Sequence, residues 1–213
     1  MKHTILAAAA LLLAACATGS AGGARDPWPA AEPLGPLQVA LLYHQRSSTP
    51  APPALALAWP DLCQARGAEA QGQAVAGAKA RLDAEAKRVD ATDRWQVQVR
   101  QPLGPYDLQR HGFQTVLKAG AVIRFDAYAY CFRELRYLLV FRNGGAHALI
   151  PLDEEGARRL LRRDPSKAVT IDLMVEPVAT QVVDGEPALV VDITRLRASD
   201  GTGSLLLDTG AER

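Results

Sequence analysis

The chain reads as an α+β protein in which β-structure dominates, with an N-terminal helical segment packed on a small antiparallel β-barrel or curved sheet. Three observations carry this expectation. Val169, Ile171, Leu173 and Val175 recur at every second position, as do Leu189, Val191 and Ile193, which is the period of a strand with one buried face. Upstream, Val75, Ala78, Leu82 and Val89 recur at helical spacing instead. Asn143-Gly144-Gly145 and Asp184-Gly185 stand between apolar runs as hairpin signals.

Residues 1–15, MKHTILAAAALLLAA, fit a secretory signal: Lys2 is the basic start and Ile5 to Ala15 the apolar run. That run is too short for a bilayer span, which needs roughly 20 residues. Leu13-Ala14-Ala15-Cys16 follows. It resembles the lipobox of bacterial lipoproteins, and the resemblance implies that Cys16 becomes the lipidated first residue of the mature chain. More than one acyl chain holds a protein stably on a membrane, whereas one alone is marginal. Ala17 stands where an aspartate commonly marks inner-membrane retention, so the resemblance implies the outer membrane, facing the periplasm.

Residues 16–36 are rich in Gly, Ala and Pro and read as a flexible tether, spanning on the order of 25 Å. Residues 37–91 form the helical segment. A first helix is expected over 37–48, closed by the prolines of TPAPPA, and a second over 61–91 with Asp61 as N-cap. Gly67, Gly72 and Gly77 weaken its first half by roughly 1 kcal/mol each against alanine. Residues 92–213 are β-rich and form one globular unit with 37–91. Strands are expected at 95–99 and 122–132, and in YLLVFR, AHALI, 169–175 and ALVVDITRLR, with a short helix in PLDEEGARRLLRRDP and a last strand at 204–208. From Val122 the order is β-β-β-α-β-β, which is that of an oligonucleotide/oligosaccharide-binding fold; a curved open sheet with one helix is the alternative.

Composition limits the function. The chain carries 24 Lys plus Arg against 23 Asp plus Glu, and loss of Lys2 with the signal makes the mature chain neutral. No basic field exists to attract nucleic acid. After Cys16 only Cys63 and Cys131 remain. In an exported chain they read as one disulfide. Two buried free thiols, or a nucleophilic Cys131 served by His147, are the other readings.

Residues 104–113, GPYDLQRHGF, concentrate polar chemistry between glycines. A turn accounts for four of them: Asp107 accepts from nearby backbone N–H groups, Gly112 takes positive φ, and Tyr106 and Phe113 fold down as anchors. Arg110 and His111 are left to solvent. Tyr106-Asp107 and Gly112-Phe113, with the preceding helix and RWQVQV strand, resemble a family of uncharacterised bacterial exported proteins, with Leu108 at a usually aromatic position. That resemblance transfers no activity and no catalytic residue.

The sequence has no H-E-x-x-H, G-x-S-x-G, S-x-x-K, P-loop or His/Cys ladder of metal-ligand spacing, so no catalytic, cofactor or metal residue is assigned. The acids-first, arginines-last order of DEEGARRLLRR suits the helix dipole. One surface remains as a candidate binding face. Tyr128, Tyr130 and Phe132 alternate with Ala127, Ala129 and Cys131, and Arg124 shares the aromatic side; aromatics beside arginines can stack on sugars. Packing beneath the helix of 61–91 is the competing reading. The reading is a lipid-anchored envelope protein that binds or scaffolds, with an envelope protein or a glycan as partner. An oligosaccharide or peptidoglycan-fragment binder is second and a hydrolase third.

The cysteine reading predicts a Cys63–Cys131 linked peptide in non-reduced, alkylated protein examined by mass spectrometry. Both thiols alkylated without reduction would contradict it.

Overall fold

The structure, a computed structural model, describes residues 28–52, 55, 65–129, 134–164 and 166–210. It is mixed α+β and rich in strands. Along the chain come β1 (Glu32–Pro33), α1 (Pro36–Ser47), α2 (Ala68–Asp90), β2 (Trp95–Pro102), β3 (Tyr106–Asp107), β4 (Gly112–Gln114), β5 (Val122–Ala129), β6 (Glu134–Phe141), β7 (Leu149–Pro151), α3 (Glu154–Arg163), β8 (Ala168–Val183), β9 (Glu186–Asp200) and β10 (Leu205–Asp208). A short 3-10 turn, Gly144–His147, precedes β7.

The main sheet runs β1-β2-β8-β9-β6-β5, with β10 also on β9. Its spine is the β8–β9 hairpin. Asp184 and Gly185 both have positive φ, 51° and 83°, as a two-residue primed turn requires. β9 is longer than either neighbour on its far side. Its first half pairs in parallel with β6, Leu138↔Ala188 to Phe141↔Val191, and its second half pairs antiparallel with β10. Between them Thr194 is an extra residue, because Met174 opposes Arg195 while Val175 opposes Ile193. Such a bulge reverses which side chains face inward. Leu189, Val191 and Ile193 enter the core before it, Leu196 and Ala198 after it, and Arg195 and Arg197 are turned to the other face.

α1 lies on the inner face. Pro36 opens it, its missing N–H costing nothing at that position. Val39 to Tyr43 are five consecutive buried residues, so the middle of the helix is enclosed on all sides. It touches β5, β6, β8, β9 and α2. α2 is different. Ala78 and Val89 are its buried residues and Leu82 and Ala86 are half-buried against the core, a narrow stripe on a long solvated helix that runs unbroken through Gly72 and Gly77.

The barrel and the oligonucleotide-binding-type arrangement expected from the strand order are not what forms. The elements from Val122 do follow β-β-β-α-β-β along the chain, but the sheet is open. α1 occupies the face over which a barrel would close, and β5 and β1 stay at opposite edges. The hairpin expected at Asn143-Gly144-Gly145 is also absent. β7 leaves the main sheet to form a three-stranded sheet with β3 and β4. Asn143 instead extends the β6–β9 ladder with its side chain: Nδ2–H donates to Ile193 O at 2.9 Å, and Ile193 N–H donates to Oδ1 at 2.8 Å. This amide satisfies both backbone groups of Ile193 beside the bulge, where β6 has ended and β10 has not begun.

Residues 28–34, expected as the end of a tether, are bound to the domain instead. Trp28 and residues 32–34 lie against the sheet, with Leu34 4% exposed in the core. α2 begins after Gly67, later than expected, and Asp61 lies outside the described residues.

Replacing Asn143 by alanine leaves two backbone groups of Ile193 without their partners, a cost of about 1–3 kcal/mol. The urea midpoint of Asn143→Ala is expected to fall with the slope unchanged; an unchanged midpoint would show that the amide bridge carries no stability.

Candidate functional site

The 104–113 segment is built by backbone geometry. Asp107 Oδ1 accepts from the N–H of Gln109 and of Arg110, each at 3.0 Å. The residue with positive φ is His111 (51°), not Gly112 as expected. Gly112 is needed for another reason: a Cβ there would sit 2.5 Å from Ile150 O on β7. Tyr106 meets Phe113 edge-on, centroids 5.1 Å apart, and its hydroxyl donates to Leu152 O at 2.9 Å. Phe113 is buried against Ala157 and Leu160 of α3. Arg110 and His111 are exposed.

Two buried acids organise the loops at the C-terminal ends of α3 and β9. Asp164 accepts from the N–H and hydroxyl of Ser166 and from Gly201 N–H at 2.8 Å. The Ser166 hydroxyl, more than the backbone donors, draws its carboxyl below the ordinary range. Burial alone would raise the Asp200 carboxyl, but Thr202, Ser204 N–H and Arg163 pull it below the ordinary value. Acids bound this fully fix loops.

The third acid lies at the end of β10. Asp208, its side chain 4% exposed, binds both arginines that the bulge turned outward. Oδ1 accepts from Arg195 Nε at 3.0 Å and Oδ2 from Arg197 Nη2 at 2.8 Å. Burial opposes ionisation here. The two guanidiniums and the Gly210 N–H outweigh it and carry the carboxyl down to about 2. The Trp28 indole covers the pair, its centroid 4.7 Å from the Arg197 guanidinium carbon and 5.2 Å from that of Arg195. Sequence reading missed this cluster. Its one signal was the pair of arginines two residues apart in a strand, and only the bulge tells which face they take.

His44, half-buried at the end of α1, joins Tyr137 on β6. Its Nε2 lies 2.7 Å from the Tyr137 hydroxyl and its Nδ1 3.0 Å from Thr49 O. The carbonyl can only accept, so Nδ1 carries the proton and Nε2 accepts from the phenol. Burial lowers the His44 pKa, against the pull of the Thr49 carbonyl. Burial, with Tyr43 nearby, pushes Tyr137 up to about 12. The pair is a neutral hydrogen-bonded link between helix and sheet. Beside it, the ends of α1 and α2 leave an open hollow lined by Gln45, Arg46, Asp90, Asp93 and Glu176.

The expected binding face is only partly described. Arg124 is exposed on β5. The β5–β6 register shifts between Phe125↔Tyr137 and Tyr128↔Leu135, so the two-residue alternation does not run unbroken to Tyr128. Tyr130, Phe132, Cys16, Cys63 and Cys131 lie outside the described residues. Among the described residues no group of three His, Cys, Asp or Glu is placed to hold a metal ion. Compared with family models, with curated proteins and with solved structures, the chain matches none.

Asp208 makes stability depend on pH in a defined window. Its folded pKa lies below the unfolded value, so its contribution is present above about pH 4 and is lost as pH falls toward 2. The shift corresponds to about 2 kcal/mol. Denaturation of Asp208→Asn is expected to show a deficit of that order at pH 6 that shrinks below pH 4; a deficit constant down to pH 2 would contradict the assignment.

Proposed function

We propose that this chain is a lipid-anchored cell-envelope protein whose β-rich domain binds or scaffolds rather than catalyses. The anchor is Cys16 in its Leu-Ala-Ala-Cys setting, on the outer membrane and facing the periplasm. The observation that carries the non-catalytic part is the state of the buried acids. Asp164, Asp200 and Asp208 each accept several hydrogen bonds from within the fold, and each ties loops or strands together. A general base must offer a carboxylate oxygen to its substrate, and the oxygens of these three are taken up by donors of the fold itself.

A glycan is the second partner class, through Arg124 with Tyr128, Tyr130 and Phe132. Exposure of Arg124 on the terminal strand β5 favours it.

Metabolic labelling with palmitate tests the anchor. The wild-type chain is expected to take up label and to fractionate with membranes, and Cys16→Ala to lose both. Label retained in Cys16→Ala would overturn the reading.

A further inference from the structure

Residues 28–34 are held to the domain by an unusual set of contacts. β1 is two residues long and runs parallel to the first two residues of β2. Glu32 N–H donates to Arg94 O at 3.2 Å and Leu34 N–H to Gln96 O at 2.8 Å. So short a ladder has no stability of its own. Pro33 lies between the two donors and has no N–H, so the outer edge of β1 cannot recruit a further strand through it. Side chains therefore hold the segment. Glu32 pairs with Arg88 of α2, an ion pair exposed on both sides, which contributes little. Leu34 is buried in the core at the Gly35-Pro36 start of α1. At the far end Trp28 rests on Arg195 and Arg197, and its indole nitrogen is buried with no acceptor. The ring is held by stacking on cations and not by a directional bond.

We propose that residues 28–34 form a strap that docks on and releases from the sheet as a unit, with Trp28 on the Arg195–Arg197 pair as its catch and Gly35 as its hinge. Release uncovers the Arg94 and Gln96 carbonyls on the edge of β2 and frees the arginine face. It also lengthens the chain leading to Cys16. With the strap docked, residues 16–27 separate Cys16 from the domain; with it released, residues 16–34 do. Seven more residues add about 24 Å of contour at the extended rise per residue. This last consequence rests on the lipid-anchor reading; the docking equilibrium does not. The domain would then stand at two heights above the bilayer.

Hydrogen exchange followed by NMR tests the strap, and Cys16→Ala serves as the background so that the anchor plays no part. The Glu32 and Leu34 amides are expected to exchange at least about tenfold faster than those of Leu173 and Leu189, which are paired on both sides, because local release precedes global opening. Trp28→Ala should speed Glu32 and Leu34 by a further factor of about ten and leave Leu173 and Leu189 unchanged, with Trp28→Phe in between. Glu32 and Leu34 exchanging only together with Leu173 would overturn the proposal. So would a Trp28→Ala variant that leaves the two strap amides unaffected, or one that speeds all four equally. A strap that behaves as expected in a chain whose wild type takes up no palmitate would refute the anchor alone.

Discussion

The bulge at Thr194 is the constraint on which most of the structure depends. β9 must serve β6 along its first half and β10 along its second, in opposite strand directions. One added residue rotates the strand between those tasks. Its effect is to keep the inner face apolar while bringing Arg195 and Arg197 to the outer face. Everything outside the core then follows from finding partners for two guanidiniums. Asp208 on β10 supplies the charge, and Trp28 supplies a cover. The Asn143 amide completes the same junction from the other side, where β6 ends one strand width away.

The division of labour among the helices follows from the same sheet. An open sheet has an apolar face to cover, and α1 covers it with residues apolar on every side, from Val39 to Tyr43. α2 need only shield α1, so a stripe of alanines with Leu82 and Val89 suffices and glycine is tolerated on its solvated face. α3 covers the small sheet through Ala157 and Leu160 on Phe113, and its Asp153 cap accepts from Gly156 N–H at 2.6 Å. Several of the polar groups buried between these layers sit at junctions: Asp164 and Asp200 where loops meet, Tyr137 with His44 where helix meets strand. Polar groups taken from water must be paired, and here the pairs mark the seams between layers.

The sequence was legible where a single face is buried over a regular stretch. Val169 to Val175 alternate because one face of β8 lies in the core beneath α1. The Asp184-Gly185 turn could be read because no other short connection meets its torsions as cheaply. The α3 cap and charge order were visible for the same local reason. Legibility failed where one residue's role is set by a distant partner. Asn143 looks like a turn residue, yet its amide completes a strand 50 positions away. Thr194 is ordinary in composition; its role exists only because β9 changes neighbours. Residues 28–34 have the composition of a tether, and distant partners give them a place: the β2 edge, Arg88, Arg195, Arg197 and the buried position for Leu34. The positive φ at His111 was assigned to Gly112, since the glycine is required by the approach of β7 and not by its own torsion.

The meeting of Trp28 with Asp208 through a shared arginine pair has a topological consequence. The first and last parts of the domain end on the same patch of surface, so a few added residues between 210 and 28 would join them without crossing the core. The fold is therefore suited to circular permutation. Cut at the exposed Asp184-Gly185 turn, the permuted chain would begin with β9 and finish with β8. The longest antiparallel pairing in the molecule would change from a local hairpin into a clasp between opposite ends of the polypeptide.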